Sequence, residues 1–344
     1  MKVLIFVSAL SLVGSCATKR YTEKIQDIKD NIKFEDANQI NSFANTITAD
    51  ELSKNVYAFS SDENQGRKTG TLGHHNASSF LKKYYIKEGI SSPLGTDNYY
   101  QNIPESFFTN EIKNSQNVVA FIKGSEFPNE ILIISAHSDH LGTIDNIIYN
   151  GADDNGSGTA AVMEMAQAFK IAEQKGFGPK RSILFLHLTG EEEGLYGSRY
   201  YTEHPIFSIE NTIANLNIDM IGRVDKLHEN NPNYIYIIGA DRLSTELHYI
   251  SEAANKQFTN LVLDYKLNSE SDPNRYYFRS DHYNFALKGV PVIFYFNGEH
   301  VDYHQSTDTA DKINYPLLEK RTKLIFTTAW YLVNSPKRII ADKR

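Results

Sequence analysis

With a single cysteine, Cys16, in 344 residues, the chain has no means of building an internal disulfide framework. A cationic surplus is also missing. The 35 lysines and arginines stand against 42 acidic residues, a net charge of −7, so there is no broad field for phosphate backbones and nucleic acid is not expected as a partner. No internal repeat, low-complexity block or Pro/Gly-rich linker divides residues 40 to 335, which argues for one domain. The N-terminal apolar run from Val3 to Val13 is too short to span a bilayer. What remains is the profile of a folded globular chain, 41% hydrophobic, 22% charged and 12% aromatic, with enough apolar residues for a sizeable core.

The first residues read as a targeting device. Lys2, the run Val3 to Val13 and the small residues Gly14 and Ser15 before Cys16 form a secretory signal peptide over residues 1–15. Val13-Gly14-Ser15-Cys16 resembles the lipobox of bacterial lipoproteins, which implies that Cys16 becomes the lipidated first residue of the mature protein. The membrane is then a partner through that lipid rather than through a transmembrane helix. The expected location is the periplasmic face of the bacterial outer membrane, or the exterior if the signal is simply cleaved. Residues 16–40 read as a tether leading into a helix, 41–335 as the main domain and 336–344 as a tail.

The body alternates strand-like and helix-like segments, the pattern of an α/β fold. Strands are expected at Val118 to Ile122, Ile131 to His137, Ser182 to Leu188, Thr212 to Ile221, Tyr234 to Gly239 and Val290 to Phe296, all rich in Ile, Val, Phe and Tyr. Their continuous apolarity predicts burial on both faces, as in a largely parallel sheet. Helices are expected at Thr48 to Phe59, Asn76 to Glu88, Gly158 to Gln174, Leu243 to Phe258, Ser280 to Lys288 and Leu317 to Val333. In the third of these, Val162, Met165, Ala166, Phe169 and Ala172 form one apolar face, which is core.

In such sheets ligands gather beyond the carboxyl ends of the strands, and five acidic or imidazole-bearing segments stand there. Ile131 to Ala136 leads into His137-Ser138-Asp139-His140. A histidine there can bind metal through one ring nitrogen while a carboxylate two positions on holds the other N–H, making His137 the ligand candidate and Asp139 its outer partner. Gly151-Ala152-Asp153-Asp154-Asn155-Gly156-Ser157-Gly158 opens onto a helix; it lacks the lysine of a phosphate loop, and its acidic pair would attract a cation. Strand Ser182 to Leu188 delivers Thr189-Gly190-Glu191-Glu192-Glu193-Gly194-Leu195. Asp219 sits in the apolar Asn217 to Gly222 segment, where its charge needs a partner or a metal. Tyr303-His304 follows the last strand. Two histidines and three carboxylates suit zinc, and one bridging carboxylate gives two metals three protein ligands each.

In order and character these motifs resemble the M28 family of co-catalytic zinc peptidases, over roughly residues 45 to 335; Gly66-Arg67-Lys68-Thr69-Gly70 is similar to a turn near the start of that family's domain. The resemblance implies a three-layer sandwich with a central mixed, mostly parallel sheet flanked by helices, the phosphorylase/hydrolase-like fold of zinc-dependent exopeptidases. It implies two Zn2+ ions, His137 and Asp219 on one, Glu192 and His304 on the other, with Asp154 bridging, and a cis peptide at Asp154-Asn155. Asp154 rather than Asp153 matches because it directly precedes Asn-Gly-Ser-Gly, and the spacing of the Glu triplet makes Glu191 the base, Glu192 the ligand and Glu193 an outsider. Tyr303 resembles the tyrosine whose hydroxyl can hydrogen-bond a developing oxyanion, and Ser280-Asp281-His282 resembles a segment lining the substrate cleft. His140, His282 and His300 are expected as walls or surface residues, and His74-His75 as incidental.

The expected activity is an exported aminopeptidase acting on peptides, with Glu191 taking the proton of a metal-activated water. Alternatives within the family are a carboxypeptidase and a one-zinc glutaminyl cyclase; from another class, a non-catalytic binding module keeps the fold alone. The intact donor set argues against the last two.

Overall fold

The computed structural model describes residue 20, residues 22–109 and residues 111–343, so the expected signal peptide and Cys16 lie outside the described residues. Ten strands are present among the described residues: β1 (Tyr100–Ile103), β2 (Ser115–Ile122), β3 (Phe127–His137), β4 (Gly142–Ile144), β5 (Ile147–Tyr149), β6 (Arg181–Leu188), β7 (Thr212–Ile218), β8 (Tyr234–Ile238), β9 (Val262–Asp264) and β10 (Val292–Phe296). Eight of them make one sheet in the order β1-β2-β6-β3-β7-β10-β8-β9, and β4 and β5 form a separate hairpin. The pairs β3–β6, β3–β7, β7–β10 and β8–β9 are parallel; β1–β2, β2–β6 and β8–β10 are antiparallel. The sheet is therefore mixed, with a parallel centre.

Alternate strand residues face two different layers, which is why the central strands are apolar without a break. Leu132, Ile134 and Ala136 of β3 and Ile183 and Phe185 of β6 meet the larger layer, built from α1 (Ala37–Ala44), α2 (Ala49–Phe59), α3 (Leu72–Lys87), α4 (Gly158–Gln174), α6 (Thr245–Ala254) and α8 (Tyr315–Asn334). Ile131, Ile133, Leu184, Leu186 and Leu188 point the other way, against Tyr201 of α5 (Tyr196–Glu203) and Phe285 of α7 (His282–Leu287). These are the three layers of the expected α/β sandwich.

The helix α4 is buried nearly all round rather than along one stripe, because it lies between the sheet and the outer helices. Its Phe169 packs on Phe326 and Trp330 of α8, ring centroids 4.7 and 5.8 Å apart. The helix begins hard against β7: a Cβ at Gly158 would lie 2.7 Å from the main-chain oxygen of Ile218. That close approach sets the 152–157 segment beside the end of β7.

The expected elements are present with shifted ends. The α3 helix starts at Leu72 rather than Asn76, and α2 is capped by Thr48, whose side chain accepts from the Glu51 amide at 3.2 Å. The seventh strand stops at Ile218, three residues short of the expected end, and Met220 turns the chain with a φ of 55°. Segments with few apolar residues or only three or four positions give no periodic signal: β1, the β4–β5 hairpin, β9 and α5 are additions of the structure, while α1 lies where the tether is expected to lead into a helix.

One core residue carries a charge-dependent cost. Glu164 is buried on α4, where its Oε1 accepts from Asn55 Nδ2 at 2.7 Å. Burial, together with the facing carboxylates of Glu51 on α2 and Glu88 at the end of α3, pushes its carboxyl up to about 8 from 4.5. The folded state thus holds a proton that the unfolded chain releases near pH 4.5, so this group's stabilisation is complete below that pH and is lost as pH rises toward 8. Glu164→Gln should flatten that slope and make the protein more stable than wild type above pH 8, by on the order of a few kcal/mol. Superimposable stability–pH curves for the two proteins would contradict it.

Candidate metal centre

The parallel centre of the sheet delivers the functional segments to one end. His137 is the last residue of β3, Glu191 and Glu192 lie in the turn after β6, Asp219 follows β7, and Tyr303 and His304 lie in the loop after β10. Asp154 comes from the segment leading into α4, through a cis Asp154–Asn155 peptide. The five expected donors meet there. The Nε2 of His137 is 3.2 Å from Asp154 Oδ1 and 3.2 Å from Asp219 Oδ1. The Nε2 of His304 is 3.2 Å from Asp154 Oδ2 and 3.1 Å from Glu192 Oε2. Asp154 therefore turns one oxygen toward each histidine, the geometry of a shared ligand.

These contacts ask for cations. Each imidazole nitrogen faces two carboxylates yet has one proton to give, and three acidic side chains are brought together where water is largely excluded. Burial by itself would raise the Asp154 carboxyl, but the imidazoles of His140, His137 and His304 hold it well below the usual range. Burial likewise works against a charged His304, yet its hydrogen bonds to Asp154 and Glu192 prevail and raise it to about 10. A metal ion held by these residues would take the place of those protons. Nitrogen and carboxylate donors in this ratio, with a cleft open beside them, fit zinc with a free coordination position.

Glu191 is close to the cluster without joining it. Burial, with Asp219, Glu192 and Asp281 nearby, raises its carboxyl well above the usual value despite His137. Its amide and that of Glu192 donate to the Asp139 carboxylate at 3.2 and 3.4 Å, and Thr69 Oγ1 donates to the same group at 2.9 Å. Asp139 thus spends its oxygens on the turn that carries Glu191 and Glu192. The His137 ring is held instead by the main-chain oxygen of Asp139, 3.2 Å from Nδ1, with the carboxylate at 3.7 Å. Tyr303 stacks on His304 with centroids 3.9 Å apart, and burial followed by the surrounding carboxylates keeps its hydroxyl protonated and able to donate.

Several residues that the sequence left as a turn, as walls or without a part support the donors. Arg67 is fully buried; its Nε donates to the Ser138 carbonyl at 3.0 Å and its Nη2 to the Gly151 carbonyl at 2.9 Å, joining the His137 and Asp154 segments. The Asp308 carboxylate accepts from the amides of Asp153 and Asp154 at 3.0 Å each, tying the His304 loop to the shared ligand. Ser280 donates to Asp219 Oδ2 at 2.7 Å, and Asp281 and His282 are fully buried behind the site rather than along its cleft. His140 is completely buried with Nδ1 2.8 Å from Glu192 Oε1, His300 pairs with Asp153 at 3.1 Å, and His74 is buried beside Ser138. These pairings join residues 52 to 154 positions apart along the chain, which local pattern does not span.

The cleft is a recess of about 70 Å³ walled by Met220, Tyr276, Phe294 and Phe296, with Arg279 at its rim paired to Glu299 at 3.2 Å. A chelator should lower the melting temperature and added Zn2+ should restore it with concentration, because the ions bind only the folded arrangement. Asp154→Asn, which weakens the shared donor, should abolish both responses; a melting temperature indifferent to chelator would contradict the site.

A model of peptidase family M28 matches residues 117–329. A probable zinc metalloprotease of Pyricularia oryzae is 29% identical over 266 residues, 65% of this chain and 51% of that protein, so the chain spans about half the length of this curated relative. The fold is similar to that of the Legionella pneumophila LapA aminopeptidase, with a TM-score of 0.68 at 19% identity over 89% of this chain and 76% of the other. It is also similar to that of Porphyromonas gingivalis glutaminyl cyclase, with a TM-score of 0.64 at 16% identity over 82% of this chain and 98% of the other. The family model covers most of the sheet and every donor found at its strand ends, and the chain belongs to peptidase family M28.

Proposed function

We propose that the protein is a two-zinc exopeptidase that removes N-terminal residues from peptides. The observation that carries this reading is the pair of carboxylate–imidazole groups sharing Asp154, with Glu191 left beside them outside the donor set. His137 and Asp219 would hold one ion, His304 and Glu192 the other, and Asp154 both. When bound, such ions polarise a carbonyl and bring the pKa of a shared water toward neutrality. Glu191 then accepts the water's proton on its carboxylate and returns it to the leaving amine. The hydroxyl of Tyr303, on the cleft wall, donates toward the oxygen of the attacked carbonyl.

Amino-terminal specificity is supported by the cleft's charge. Glu191 is a carboxylate in the recess beyond the five donors and suits a substrate ammonium better than a substrate carboxylate, whereas Glu299 there is paired to Arg279 at 3.2 Å. The apolar run before Cys16 supports export, with attachment to the outer membrane through a lipid on that cysteine or release as a secreted enzyme; Cys16→Ala should move a lipidated protein into the soluble fraction.

Glu191→Gln should keep its metal and lose peptide hydrolysis by roughly 10²- to 10⁴-fold. Amino-acid p-nitroanilides with a free amine should be cleaved and their N-acetylated forms should not. Equal turnover by wild type and Glu191→Gln would remove the assigned base, cleavage of blocked peptides from their other end would favour a carboxypeptidase, and ammonia release from an N-terminal glutaminyl peptide without chain cleavage would favour a cyclase.

A further inference from the structure

Glu192 is gripped from two sides by two histidines in quite different surroundings. His304 reaches Oε2 from the cleft, and its side chain is 37% exposed. His140 reaches Oε1 from the interior at 2.8 Å, and its side chain is 0% exposed. The two rings lie 5.9 Å apart, with the Glu192 carboxylate between them. Asp154 Oδ2 is 3.6 Å from His140 Nδ1, beyond hydrogen-bond range.

We propose that His140 is the positioning residue of the second metal site: its Nδ1–H donates to Glu192 Oε1 and thereby commits Oε2 to the ion shared with His304 and Asp154. This rests on the two-metal reading given above. Two features of the surroundings lead to it. The other ring nitrogen, Nε2, is buried with no hydrogen-bond partner, so a proton placed there would have no acceptor, whereas on Nδ1 it has one at 2.8 Å. The ring is also confined on one side, although its Nδ1 lies near oxygens of both Asp154 and Glu192. A Cβ at Gly151 would lie 2.5 Å from His140 Cδ2 and 2.6 Å from Cγ, so the ring packs flat against the backbone of the very segment that carries Asp154. From behind, the His140 amide donates to the Arg67 carbonyl at 3.3 Å, and the Arg67 guanidinium holds Ser138 and Gly151.

The arrangement resolves a choice that Glu192 faces alone. A free carboxylate can offer either oxygen, or both, to a cation; one that already accepts a buried N–H on Oε1 offers the other in a fixed direction. His137 and Asp219 have comparable supports in the Asp139 carbonyl and the Ser280 hydroxyl. His140 completes that pattern on the opposite side of Asp154.

The side-chain amide of asparagine places an N–H near the Nδ1 position of histidine, whereas that of glutamine reaches toward the Nε2 position. The test compares His140→Asn, His140→Gln and His140→Leu with wild type by titrating metal-free protein with Co2+ and following its absorption, with melting curves of the metal-free proteins recorded beside it. Wild type should take up two ions. His140→Gln and His140→Leu should bind the first ion as wild type does and the second about 10- to 100-fold more weakly, with His140→Asn restoring the second affinity. If wild type binds two ions and all three variants bind both equally well, or if Asn fails as Gln does, the positioning role is overturned while the two-metal reading stands. An absorption-edge spectrum showing two imidazoles on the second ion would overturn it in favour of direct ligation. Uptake of a single ion by wild type would sink this role and the two-metal reading together.

Discussion

The centre of this protein is an unfavourable crowd of carboxylates. Asp154, Glu192 and Asp219 are gathered with Glu191 and Asp139 at one end of a sheet, where burial works against the charges of Asp154, Asp219, Glu191 and Asp139. The imidazoles of His140, His137 and His304 relieve part of that penalty, and divalent cations would relieve the remainder. Folding energy from the apolar layers holds the crowd together; metal binding then draws on the repulsion so stored.

Positioning such a cluster requires rigid supports, and the fold supplies them from behind each donor. The segment bearing Asp154 is fastened by Arg67 on one side and by Asp308 on the other, while the Asp139 carboxylate holds the turn carrying Glu191 and Glu192. Those supports are main-chain hydrogen bonds to buried side chains, so they fix direction as well as distance. The close approach of Gly158 to Ile218 brings the shared ligand beside Asp219, and it leaves no room for a larger residue. The consequence for function is a division of labour: donors face the position a metal would take, and a further ring of side chains decides which atom of each donor does so.

Much of this was legible in the order of residues. The six strands and their continuous apolarity disclosed a doubly covered sheet, and the placement of His137, Glu191, Glu192, Asp219 and His304 just beyond strand ends disclosed where chemistry would gather. The Asp153–Asp154 and Glu191–Glu192–Glu193 registers rest on resemblance; in the structure Asp154 contacts both histidines and Glu192 contacts His304. The short additions, β1, β9 and the β4–β5 hairpin, had too few residues for a period to emerge. Asp139 illustrates a subtler gap: its spacing from His137 suggested a carboxylate–imidazole pair, but the turn after β6 brought two amides and Thr69 that compete for the same oxygens.

By itself the sequence determined which kinds of donor exist and in what order they leave the strands, because apolar periodicity sets the strands and strand polarity sets the end at which the next residues emerge. Tertiary structure alone decided the partners: that one oxygen of Asp154 meets His137 and the other His304, that Asp308 clasps the amides before Asn155, and that the interior histidine at 140 leans on Glu192. Those pairings join residues tens to more than a hundred positions apart, and hydrogen-bond direction is a property of atoms fixed in space, which no local pattern of side chains expresses.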